Sequence, residues 1–196
     1  MASSSLSSYK SSIESTGISL SKNFYLNKYY TMNHKAIKES SRKEFHGCEL
    51  IYEDSRALKR AASFLSTRKY DDEENEDKIH SSLLAFKDTY NNAIDSGSAM
   101  NDRNIKKYVK KLESLIEEHK EDLEDIGIKI GDDKKLTVSE EILKNVDMEK
   151  IKKVFSKEDS DLLRRTTSLS KRILSASSNY IYSQITGNGL RLNITL

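Results

Sequence analysis

The chain runs to 196 residues, of which 36% are apolar and 33% charged, with a mean hydropathy of −0.70 and a net charge of +2 from 33 basic and 31 acidic residues. That balance argues against a dedicated nucleic-acid or membrane-surface binder. So low an apolar fraction argues against a thick globular core and for a thin helical bundle, in which each helix buries one stripe. Proline and tryptophan are absent, so the strongest helix breaker is missing throughout. The single cysteine, Cys48, rules out an intramolecular disulfide or a cysteine zinc site and reads as a small half-buried apolar residue rather than a reactive thiol.

Residues 1–33 are rich in serine, asparagine and tyrosine with little periodicity, and read as a flexible N-terminal segment. From Met1 to Gly47 the basic residues Lys10, Lys22, Lys28, Lys35, Lys38, Arg42 and Lys43 outnumber Glu14, Glu39 and Glu44. A nucleic-acid arm is the sharper reading of that excess, and a solvated segment is the simpler one. The first ten residues hold no apolar signal core, so export would need a route that reads no cleaved signal.

A helical domain is expected over 34–186. Its first helix is predicted from Asp54 to Arg68, with Ala57, Leu58, Ala61, Ala62 and Leu65 on one side. The acidic run Asp71–Asp77 suits the N-terminus of the next helix. As a calcium loop it fails, because Glu76 stands where glycine is required and Ser82 where the bidentate glutamate belongs. Ile79, Leu83, Phe86, Tyr90 and Ala93 then step by four and three. After a predicted turn at Ser96–Ser98 the pattern resumes as Ile105, Val109, Leu112, Ile116, His119, Leu123 and Ile126. That spacing is a coiled-coil seam, and a short link makes the two helices antiparallel neighbours. His119 reads as a polar seam residue that fixes register; a ligand or switch role has no second histidine, cysteine or carboxylate pair beside it.

Gly127 is predicted to cap the second helix in the left-handed conformation. A β-hairpin follows near 127–138, from Ile128 and Ile130 through Gly131–Lys134 to Leu136 and Val138. Two strands are marginal alone, so the hairpin must pack on helices, with Ile128, Ile130, Leu136, Val138 and Phe155 forming a small satellite core. Thr137 with Glu140, Asp147, and Ser156 with Asp159 are predicted caps for three further helices. The last carries Leu162, Thr166, Leu169, Ile173, Ala176 and Tyr180 and ends near Gly187. Residues 187–196 alternate apolar and polar, a strand-like tail suited to docking. The expected fold is mainly α: an elongated antiparallel helical hairpin or bundle with coiled-coil packing and one small β-hairpin. No local spacing proposes a catalytic triad, and no phosphate-cradling glycine loop is present. The longest apolar run, Leu83–Phe86, is far too short to span a bilayer.

From about Leu83 to Phe155 the chain resembles the C-terminal helical region of the flagellar filament-capping protein, hook-associated protein two. The likeness is carried by Phe86, Tyr90 and Asn91, by Ile126-Gly127-Ile128, by the turn before Leu136-Thr137-Val138, and by Val154-Phe155-Ser156. Asp133-Lys134 stands where that family more often has Asp-Gly or Asn-Gly. The missing proline and tryptophan, the lone cysteine and the serine-rich termini are similar to flagellar axial proteins. The resemblance covers less than half of the chain and leaves no room for the family's large β-rich domains. It implies a helical leg without catalysis or cofactor, with flagellin, other axial proteins or further copies of the chain as partners. Leu112 and Ile116 complete the residues expected to carry structure and interaction. The location implied is the flagellum, outside the cell. The alternative reading is a cytoplasmic coiled-coil adaptor or export chaperone.

Overall fold

The computed structural model describes Arg42, residues 45–70 and residues 76–187. The segment 1–33, the tail beyond Gly187 and most of the acidic run at 71–77 lie outside the described residues.

Helix α1 spans Gly47–Leu65 and buries Ile51, Asp54, Ser55, Leu58, Ala62 and Leu65. It begins two turns before the predicted start, and Asp54 lies inside it as a buried carboxylate paired with Arg42. Cys48 is half-buried on its first turn, and burial pushes its thiol pKa up. Helix α2, Glu76–Ser98, buries the whole expected stripe of Ile79, Leu83, Phe86, Tyr90 and Ala93. It continues through the predicted turn. Gly97 is instead a contact point, where a Cβ would overlap Val109 Cγ2 and lie 3.2 Å from Ile51 Cδ1.

Helix α3, Arg103–Glu118, is capped by Asp102, whose carboxylate accepts from the N–H groups of Asn104 and Ile105 at 2.8 Å. The seam residues Ile105, Val109, Leu112 and Ile116 are buried, and Leu115 joins them. The seam is nonetheless not one helix. The chain tightens at His119, whose N–H bonds back three residues to the Ile116 carbonyl, before the short helix α4, Lys120–Glu124. His119 is therefore a junction residue, with Nε2 3.4 Å from Asp161 Oδ1. Gly127 adopts φ +83° three residues after the end of α4 rather than directly at its end, and a Cβ there would lie 2.8 Å from Ile142 Cγ2. Both facts demand glycine.

Strands β1 (Ile128–Ile130) and β2 (Leu136–Val138) pair antiparallel with Ile128 opposite Val138 and Ile130 opposite Leu136. Helix α5, Glu140–Asn145, takes Ser139 as its N-cap rather than Thr137, whose hydroxyl donates across the hairpin to the Lys129 carbonyl. Asp147 caps α6, Met148–Phe155, as expected. Ser156 and Asp159 bond reciprocally, but they close the turn before α7, which starts at Leu162 and runs to Gly187.

The long helices α1, α2, α3 and α7 form an antiparallel bundle in which α1 packs on α2 and most extensively on α7, and α3 packs on α7 and more briefly on α2. Gly97, near the end of α2, meets the beginnings of α1 and α3, and Arg165 at the start of α7 bonds Glu118 at the end of α3 at 2.6 Å. Helix α7 lies against two neighbours and so buries a wider arc than its predicted stripe, adding Leu163, Ser170, Ser177 and Ile181. The expected satellite core does not stand apart. Ile128, Leu136 and Phe155 belong to the one core that runs through the bundle, with Ile130 and Val138 packed against it.

Candidate interaction site

Five of the residues singled out in the sequence, Phe86, Tyr90, Asn91, Leu136 and Phe155, meet where α2 contacts the β-hairpin and α6, whereas Leu112 and Ile116 lie on α3. The local reason is spacing: Phe86, Tyr90 and Asn91 sit within two turns of α2, so all three can reach elements packed beside it. The Tyr90 hydroxyl donates to the Lys134 carbonyl at 3.0 Å in the hairpin turn. One residue on, Asn91 bonds both backbone groups of Leu136, its Nδ2 donating to the carbonyl at 2.8 Å and its Oδ1 accepting the N–H at 2.7 Å. Asn91 thereby stands in for a neighbouring strand along β2. Phe86 meets Phe155 of α6 edge to face, with ring centroids 5.8 Å apart.

Just past α1, the buried hydroxyl of Tyr70 donates to the carbonyls of Leu65 and Phe155, at 2.9 and 3.3 Å. Burial raises the pKa of both tyrosines well above its ordinary value, and Glu113, Glu117 and Asp133 reinforce the effect at Tyr90. Outside the junction core, the Lys135 ammonium lies 2.7 Å from Asp95 and ties the turn to α2.

Of the sequence-selected residues, Phe86, Tyr90, Leu112, Ile116, Ile126, Ile128, Leu136, Val154 and Phe155 are buried. Gly127 is buried as well, and Asn91 half-buried. They hold elements together, and the accessible surface is made by the residues around them. Sequence reading missed Arg42, Tyr70 and the Lys135–Asp95 pair, none of which has a local pattern.

The charges on the outer face of α3 are segregated along its length. Arg103, Lys106, Lys107, Lys110 and Lys111 occupy the first half, and Glu113, Glu117 and Glu118 the second, followed by Glu121, Asp122, Glu124 and Asp125. Elsewhere on the surface, an open polar cleft of about 470 Å³ lies between the start of α3 and the end of α7, lined by Tyr108, Arg172, Asn179 and Tyr180 among others. A second, of about 410 Å³, lies between α1 and α2 beside Phe64, whose exposed ring carries the Arg68 guanidinium 3.5 Å above it.

Among the described residues no three His, Cys, Asp or Glu side chains group closely enough to hold a metal ion, and no helix is long and apolar enough to cross a membrane. No family model matches the chain, and neither curated proteins nor solved structures yield a significant match.

Proposed function

We propose that the protein is a non-enzymatic structural protein that binds other proteins, comparable to the helical leg of the flagellar filament cap, with flagellar axial proteins or further copies of itself as partners. One observation carries the reading. Three pieces of sequence that resemble the cap family are separated along the chain, yet the first, around Phe86–Asn91, contacts both of the others, Gly131–Leu136 through side-chain bonds and Val154–Phe155 through a ring contact. Residues that meet in one junction behave as a structural unit, and such a unit holds the shape of the leg while the outer surface meets the partner. The test is a pull-down from the source organism with the wild-type chain and Phe155→Ala. Flagellin or another axial protein should be retained by wild type and reduced with Phe155→Ala, which opens the junction. Recovery of nucleic acid or a metabolic enzyme, with no axial protein in either sample, overturns the flagellar reading.

A further inference from the structure

We propose that two copies of this chain pair antiparallel through the outer face of α3 and α4, about a two-fold axis at Ser114. The five cations of the first half of α3 are all exposed, and no acid of the described residues pairs with any of them. Several stand three or four apart, where like charges repel, and they crowd the positive end of the helix dipole, where cations are unfavourable. A solitary bundle gains nothing from that arrangement.

The compensation lies in the order of the charges. Lys111 is three residues before Ser114 and Glu117 three after it; Lys110 and Glu118 are four away, and Lys107 and Glu121 seven. Lys106 and Asp122 at eight, then Arg103 and Asp125 at eleven, extend the match. Within α3 the cations three, four, seven, eight and eleven residues before Ser114 and the glutamates three and four after it mark a single helical face, opposite the buried seam of Ile105, Val109, Leu112 and Ile116; Glu121, Asp122 and Asp125 follow the break at His119 and continue the acidic run beyond α3. An isologous contact, in which residue i meets j and j meets i, then sets the cationic first half of α3 in one copy against the acidic stretch of the other.

The residue at the axis suits the contact. Ser114 is exposed and small, and its hydroxyl turns back to donate to the Lys110 carbonyl at 3.0 Å, so neither bulk nor an unmet donor separates the helices. Glu117, Glu118 and Asp122 already touch Lys134, Arg165 and Lys153 at the surface, which makes them members of a shared network. Exposed ion pairs are individually weak and screened by salt, so the expected dimer is salt-dependent, with its specificity set by charge order. This deepens the self-association included in the reading above and does not depend on its flagellar half.

Sedimentation equilibrium of the full chain is the test. Dimer should form at about 50 mM salt and weaken at least about tenfold at 500 mM. Lys107→Glu with Lys111→Glu should be monomeric, as should Glu117→Lys with Glu121→Lys, each with unchanged helical circular dichroism. An equimolar mixture of the two double variants should regain the dimer, because every reversed charge then meets its opposite. A monomer at low salt, a dimer insensitive to salt, or a mixture that stays monomeric overturns the proposal. A monomer that instead binds DNA through Lys107 and Lys111 assigns the face to a polyanion. A monomeric chain that still captures an axial protein fails this inference alone.

Discussion

Arg42 grips Asp54 with two hydrogen bonds of 3.0 Å, one from Nε and one from a terminal guanidinium nitrogen, twelve residues apart in sequence. The carboxylate is 7% exposed within α1, while the guanidinium is 44% exposed and reaches on to the Asn92 carbonyl of α2 at 3.4 Å. A buried carboxylate inside a helix is tolerated because its charge is matched and both oxygens accept bonds.

Removing the cation leaves that carboxylate buried and unmatched. Arg42→Ala should destabilise the fold by about 1–3 kcal/mol, the cost of an unsatisfied buried acceptor reduced by the guanidinium's exposure. Urea unfolding checks it, and an unchanged midpoint would show that water replaces Arg42 without loss.

The hairpin should depend on Asn91 more than on its own turn. Asn91→Ala strips the N–H and carbonyl of Leu136 of their partners and should cost about 1–3 kcal/mol. Hydrogen exchange at the Leu136 amide should quicken far more than at amides in α7. Uniform acceleration across the chain would place the effect in the bundle as a whole.

Lys134 stands in the left-handed region at φ 62°. Its N–H donates to the Gly131 carbonyl at 2.9 Å, and the Gly131 N–H donates to the Lys135 carbonyl at 2.8 Å, a three-residue turn whose last position favours glycine. Lys134→Gly relieves a side chain from that conformation and should raise stability by about 0.5–1 kcal/mol, the strain removed less the entropy glycine adds. The exposed contact of Lys134 with Glu117 offers little to offset the gain. A lower melting temperature would refute this account of the turn.

Alkali should unfold the protein through Tyr70 and Tyr90. Their folded pKa values are raised, so above about pH 10 an unfolded chain loses phenolic protons that the folded chain keeps. The stabilisation is complete below the unfolded value and is lost as pH rises toward the folded one. Tyr70→Phe should lower stability near neutrality, through its lost bonds, and flatten the decline above about pH 10. Equal alkaline slopes for wild type and variant would remove Tyr70 from the effect.

The parts of the fold that could be read in sequence are those whose pattern repeats within one element. The α2 stripe and the seam from Ile105 to Ile116 were legible because each helix turns a single face inward, and the hairpin because Ile128–Val138 alternates around a glycine. What stayed hidden depends on distant partners. Asp54 marks the edge of the predicted helix until Arg42 is placed beside it and the helix is seen to run through it. Ser170 and Ser177 look like surface until α7 is pressed between α1 and α3. The break at His119 interrupts a heptad pattern that continues unbroken in sequence, since Leu123 and Ile126 are still buried after it. Phe86, Tyr90, Asn91, Leu136 and Phe155 could each be named, but not that they touch, because juxtaposition across the chain leaves no local period.

The pairing of α1 with α7 also bears on how the fold assembles. The helix that begins the bundle finds its largest partner in the helix that ends it, so the contact closes across nearly the whole described chain. Without Leu162–Gly187 the inner faces of α1 and α3 keep only α2 as cover, and each loses its most extensive contact. Closing a contact of such long sequence separation costs loop-closure entropy before it is rewarded, so this bundle should fold more slowly than one built only from neighbouring helices.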